Sequence, residues 1–286
     1  MNKTTQLIDV DAPPKAQQAS QGEPTRANNT LKRSAKVWFI VAVIGQLMFA
    51  VYVAGFYWLS ALQGNFAKWE KATPKGFVEG DVMGNTAMIM HMLLALIIIV
   101  GGPLQFVPHI QRKYRKFHRW NGRVYMITVF LVSGTGLYMV WAKGGIGGPF
   151  QYAASTLNTI LIFWFGILTW RTAVQRKLKV HKRWAFRLFL AGSGVWFARL
   201  GFMSWVMTHV TLGYDYNTYW PHFYNIWSFG QFVVPLLAFE LYWRTLEKSS
   251  KTRKYAFTGL LYFLTLLTAI GIISVTIAMW IPRLTG

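Results

Sequence analysis

Four polar side chains interrupt long apolar runs of this sequence: His91, Asn158, Arg199 and Gln231. A polar group in hydrocarbon is costly, so each one calls for a partner or a task. At a helical rise of roughly 1.5 Å per residue, His91 and Asn158 lie one to two turns from the same end of their runs, and Gln231 about two turns in. Arg199 is the deepest, roughly 9 to 16 Å from the boundary. Such a set can build an outer-leaflet pocket in which Arg199 holds an anion or a carbonyl, His91 accepts a proton and the two amides orient the ligand. The acid at a comparable position in the runs, Glu240, stands toward the opposite end, so Arg199 has no carboxylate at its own depth. Gly192, seven residues before Arg199, falls on the same helix face and points that face into a helix contact. Bonding of Arg199 to nearby backbone, with no ligand, is the competing reading.

A second constellation is basic. His118 and His181 stand at matched depth among Arg119, Arg123, Arg183 and Arg187. Two imidazoles on facing helices are what a six-coordinate haem b needs, and the arginines suit its propionates. The same cluster suits anionic lipid headgroups equally. Glu240 is the natural ion-pair partner for Arg187 or Arg123. Near the far end, His209 and His222 flank Asp215, but thirteen residues separate the histidines and no close pair exists, so no metal site is expected. The chain has no cysteine, which excludes disulfides, thiolate ligands and a cysteine nucleophile. Phosphate-binding loops, nucleophile elbows and zinc-protease helices are also missing, so hydrolytic and nucleotide chemistry have no support.

The elements that position these residues follow from composition. Of 286 residues, 53% are hydrophobic and only 14% charged, where a soluble domain carries about 25% charge. The net charge of +21 is spread between apolar runs rather than gathered on one polar domain. A membrane surface is therefore the expected partner, not nucleic acid. Residues 1–30 are polar and read as a disordered tail, leaving 31–286 as a transmembrane domain. Seven runs are long enough to cross the bilayer as helices. They are Val37 to Leu59, Thr86 to Val107, Trp120 to Ala142, Ala153 to Trp170, Trp184 to Val210, Phe223 to Trp243 and Ala256 to Ile281. Barrel strands would alternate, and these runs do not. On one side of the spans lie 24 Lys and Arg, on the other five. The expected orientation in the cytoplasmic (inner) membrane is therefore N-terminus in and C-terminus out.

The segment Gln111 to Arg123 aligns without gaps on Gln175 to Arg187, with an Arg-Trp-x-x-Arg core in both. Asn85-Thr86 and Asn158-Thr159 open the preceding spans. This predicts a parallel internal repeat over 85–210, spans two and three matching four and five, as a four-helix core with spans one, six and seven around it. His91, Gly101-Gly-Pro-Leu-Gln-Phe106, His118-Arg-Trp-Asn-Gly-Arg-Val-Tyr125 and His181-Lys-Arg-Trp-Ala-Phe-Arg187 resemble the bacterial membrane proteins of domain of unknown function 2306. The resemblance covers about Thr86 to Trp205 and departs at Ala185-Phe186, where the family pattern reads Met-Ile. It implies a multi-pass protein of the cytoplasmic membrane and no established activity. The paired histidines are also loosely similar to those of cytochrome b561 proteins, although the fourth span here has no histidine. Two function classes stand. One is membrane redox, with haem b or a quinone held by His91, His118, His181 and Arg199; the other is lipid or small-anion binding or transport through the outer pocket.

Overall fold

The computed structural model describes residues 26–72, 77–144, 147–217 and 219–285. Among these residues every regular element is helical. Six helices are long and apolar enough to cross a membrane: α1 (Arg26–Leu62), α2 (Val82–Leu104), α3 (Arg115–Gly144), α4 (Gly148–Val174), α6 (Trp220–Lys248) and α7 (Lys251–Thr285). The run expected as the fifth span is not one helix. It is split into α5a (Leu178–Gly192) and α5b (Gly194–Thr211) by Ser193, whose φ and ψ are −86° and 2°. Gly-Ser-Gly explains the break, because glycine in a helix interior costs about 1 kcal/mol relative to alanine and serine bonds locally instead of supporting the ladder.

Most of the polar tail expected over 1–30 lies outside the described residues. Arg26 to Thr30 are already the first turn of α1. Burial accounts for this earlier start: Ala27 and Leu31 are both covered, and Leu31 packs on Phe257 and Leu261 of α7.

Two apolar clusters hold the helices, and the break in α5 lies between them. Ile98, Tyr125, Val129, Ile162, Leu188 and Ala191 join α2, α3, α4 and α5a. Phe49, Tyr52, Met88, Trp196, Leu200 and Ile272 join α1, α2, α5b and α7. So α1 and α7 do not merely surround a four-helix core. They form a second core with α5b, because the break turns α5b away from the first cluster and gives Trp196 and Leu200 to the other.

The residues that carry the family resemblance turn out to be packing devices. Asn121 Nδ2 donates to the Gly101 carbonyl at 2.9 Å, close to Pro103, which lacks an N–H of its own. Gly102 leaves room for the rings of Phe189 and Tyr125, and Gly122 faces Gln105. Phe106 packs on Phe186 with ring centroids 4.0 Å apart.

At the end remote from the basic loops, α1, α3 and α7 each contain a π-helical turn: Ala54–Trp58, Met139–Gly144 and Thr276–Trp280. Such turns widen a helix locally and are frequent beside functional sites. Met139, Val140, Lys143 and Gly144 of the second one line a cavity.

Candidate functional site

At the break, side chains from neighbouring helices bond one backbone carbonyl and the Ser193 hydroxyl. The ladder passes through Ser193, which donates to Phe189 at 2.9 Å and accepts from Phe197 at 3.1 Å. Asn158 Nδ2 on α4 donates to the Ala191 carbonyl at 3.2 Å, and Gln46 Nε2 on α1 donates to Ser193 Oγ at 2.9 Å. Gly194 lets them approach, since a Cβ there would sit 3.2 Å from Asn158 Nδ2 and 3.9 Å from Gln231 Oε1. Both amides have their nitrogens engaged. Their oxygens, Gln46 Oε1 and Asn158 Oδ1, are buried without a hydrogen-bond partner among the described residues. A buried acceptor left unmet costs about 1–3 kcal/mol, so this pair of oxygens is a standing demand for a donor.

These groups border a cavity of about 380 Å³. All four residues of the expected outer pocket line it: His91, Asn158, Arg199 and Gln231, together with Gly192. Arg199 Nη1 donates to its own helix at the Val195 carbonyl, 3.1 Å away, and its guanidinium lies 5.1 Å from the centre of the Phe49 ring. Backbone bonding and a cavity-lining position thus coexist in one side chain. His91 Nδ1 is 3.3 Å from Thr135 Oγ1, and His91 and Arg199 line the same cavity. Gly136 makes this seat possible, because a Cβ there would crowd the imidazole Cε1 at 2.9 Å.

Sequence reasoning named Asn158 and Gln231 but missed the four polar residues that share their helix faces. On α4, Gln151, Ser155 and Asn158 recur at i, i+4 and i+7; on α6, Tyr224, Ser228 and Gln231 do the same. That spacing puts each trio on one helix face, and the two faces are joined by Ser228 Oγ donating to Gln151 Oε1 at 2.9 Å. Gln151 Nε2 reaches Ser155 Oγ at 3.3 Å, and Gln231 Nε2 donates to the Ser228 carbonyl at 2.7 Å. Together the trios make a polar ladder leading to the break. The signal was the 3.6-residue period of polar residues inside apolar runs, which counting isolated polar positions overlooks.

The end of the cavity away from the basic loops is bordered by Lys143, whose Nζ is 3.1 Å from Asp81 Oδ2. Asp81 also caps α2 by accepting from the Gly84 N–H at 2.9 Å. These two contacts, the backbone bond first and Lys143 second, hold the Asp81 carboxyl below its ordinary range. A depressed folded-state pKa adds stability above the unfolded value of about 3.9, and that stability is lost as pH falls through the lower folded value. Asp81→Asn keeps a capping side chain but loses the ion pair. The wild type is therefore expected to melt above the variant at neutral pH, with the gap closing below about pH 4. Thermal melts of both proteins across pH check this, and a gap that widens on acidification would contradict it.

At the basic end, His118 and His181 occupy equivalent places: each N–H bonds the residue preceding its helix, Tyr114 or Lys177, at 2.9 and 2.8 Å. His181 Nδ1 faces the Thr169 carbonyl at 3.0 Å, while His118 Nδ1 is buried with no partner among the described residues. An imidazole held at Nδ1 by a carbonyl presents Nε2 to a metal, so His181 has the chemistry of a haem ligand. Neither histidine, however, lines either of the two cavities. Three of the four arginines around them are engaged. Arg187 forms a two-pronged pair with Glu240 at 2.6 and 3.0 Å and stacks on Trp184, Arg183 pairs with Glu247 over Trp243, and Arg123 covers Trp120. Toward the other end, His209 Nδ1 donates to the Trp205 carbonyl, 2.9 Å away, and its ring packs tilted on that indole.

Neither the curated proteins nor the solved structures show a match to this chain. A family model does match over residues 88–243, more than half of the chain, and it takes in α2 from Met88, the Asn121–Gly101 lock, the break in α5 and α6 as far as Trp243. The chain belongs to the family described as predicted membrane protein (DUF2306).

Proposed function

We propose that this protein binds a small polar ligand inside the membrane at the break in α5, as a binding or transport protein whose basic end faces the cytoplasm. The observation that carries this reading is the convergence of Gln46, Asn158 and Gln231 from three helices on one interrupted helix, with two amide oxygens left wanting donors. Interrupted helices near mid-membrane are where substrate sites of transporters are built, because irregular backbone is tolerated there only beside a cavity. The donor demand of Gln46 and Asn158, set against the cationic Arg199, selects a ligand that has hydroxyl or amine donors together with a carboxylate or carbonyl. Hydroxycarboxylates meet that description, whereas a quinol headgroup supplies only the hydroxyl donors.

The redox reading survives only in its quinone form. In that form His91, which lines the same cavity as Arg199, would be the group facing the quinol hydroxyl. The haem form has less support, because the two histidines suited to iron line neither of the two cavities described.

The test is thermal stabilisation of the detergent-purified protein by hydroxycarboxylates, short-chain quinols and inorganic phosphate. A compound that stabilises the wild type should lose about 1.5–3 kcal/mol of that stabilisation in Arg199→Leu, the range for hydrogen bonds to charged groups. His91→Ala and Asn158→Ala should weaken the same compound. A compound that stabilises Arg199→Leu as well as the wild type would remove Arg199 from the site, and stabilisation by none of them would defeat the proposed ligand class. A visible absorption band lost in His118→Ala or His181→Ala would restore the haem reading.

A further inference from the structure

A larger cavity, about 840 Å³, runs between α1, α5a, α5b, α6 and α7, on the other side of the break from the polar one. Its walls are overwhelmingly apolar, with Phe186, Phe239, Pro235, Leu264 and Trp227 prominent. Along α6 the lining extends from Phe223 to Trp243, about 30 Å at the helical rise, which is the thickness of a bilayer's hydrocarbon.

Charge in the lining is confined to one end. Lys32 and Lys36 of α1 are one turn apart and share a face with Ala35 and Phe39, which also line the cavity. Lys182 of α5a completes the group. All three are exposed, and among the described residues none forms an ion pair, whereas neighbouring Arg183 and Arg187 each have a glutamate. Among the described residues, no carboxylate lines the groove. At this same end the Trp243 indole Nε1 is buried without a hydrogen-bond partner among the described residues, although the residue borders the groove.

We infer that this groove is a binding site for an anionic phospholipid, with the phosphate at Lys32, Lys36 and Lys182 and the acyl chains along the apolar wall. Two requirements select the occupant. The three lysines and the indole N–H ask for an anion with acceptor oxygens at headgroup level, and the wall beneath them asks for hydrocarbon. A soluble phosphate meets only the first, and a zwitterionic lipid meets the second while bringing its own cation to the lysines. The site is separate from the cavity at the α5 break and does not depend on the ligand proposed there.

Native mass spectrometry of the full chain, exchanged with phosphatidylglycerol, phosphatidylcholine or inorganic phosphate, tests the assignment. The wild type should retain phosphatidylglycerol in preference to phosphatidylcholine, and inorganic phosphate should not displace it. Each of Lys32→Gln, Lys36→Gln and Lys182→Gln should reduce the preference about fivefold, the value of one lysine near a membrane surface. Ala238→Trp, which fills the groove, should reduce retention of both lipids. Neutralising Lys251, Arg253 and Lys254, which are basic but outside the groove, should leave the preference intact. The inference fails if that control lowers the preference as much as the groove lysines do, if the groove lysines can be neutralised without effect, or if phosphate alone displaces the lipid. Single-lysine variants should fold, since these side chains are exposed, and their response to ligands of the α5 cavity should match the wild type.

Discussion

A Gly201→Val chain is expected to lose about 3 kcal/mol of stability, the upper part of the range for overpacking a filled site. Gly201 on α5b is covered by the Trp227 indole of α6, and a Cβ at that position would overlap the ring. The indole cannot swing aside freely. Its Nε1 donates to the Ala198 carbonyl at 3.3 Å, and its ring lies parallel to Phe223, which in turn stacks on Trp205 at 4.2 Å. Moving Trp227 therefore breaks a hydrogen bond and disturbs three aromatic rings. Gly134→Val is the matching control, since nothing lies within 4 Å of a Cβ there. Denaturation of both variants in the same detergent decides the matter. If Gly201→Val unfolds with the wild type, the α5b–α6 contact is not as close as described.

What could be read from the sequence was whatever depends on composition and period. Six of the seven expected spans are single helices, because a sustained apolar run has one way to satisfy its backbone in lipid. The exception, Trp184 to Val210, is instructive. Its hydropathy reads as one span, yet Gly192-Ser193-Gly194 interrupts it, and the cost of the interruption is met by Asn158 and Gln46 from helices far away in sequence. No local pattern announces such partners. Depth alone grouped His91, Asn158, Arg199 and Gln231, and they do border one cavity. Depth did not group Gln46 with them, because it stands near the middle of the first run, nor Ser193, which looks like part of a glycine break. The pairing of Arg187 with Glu240 was legible because both stand toward the basic end of their spans, where an acid in an apolar run needs a cation. The lipid groove was not, since its three lysines come from two helices separated by about 150 positions and fall in basic stretches that any cytoplasmic loop would have.

The break itself is open to a decisive substitution, Gly194→Leu. Two opposing terms set the sign. Replacing glycine by leucine in a helix favours the helical backbone by about 1 kcal/mol, which would help α5a and α5b fuse. Against this, the new side chain must occupy the space where Asn158 Nδ2 and Gln231 Oε1 lie 3.2 and 3.9 Å from the position of its Cβ. Displacing Asn158 removes its bond to the Ala191 carbonyl and leaves both groups unmet at about 1–3 kcal/mol, with overpacking adding a similar amount. The second effect outweighs the first, so Gly194→Leu is expected to be about 3 kcal/mol less stable than the wild type. It should also lose all stabilisation by any compound that binds at the break. Gly194→Ala separates the terms: its methyl needs Asn158 to yield only slightly, so most of the stability should persist while the response to the compound weakens. A Gly194→Leu protein more stable than the wild type would show that the interruption reflects poor helix formers alone, and the polar convergence at Ser193 would then have no claim to be a site.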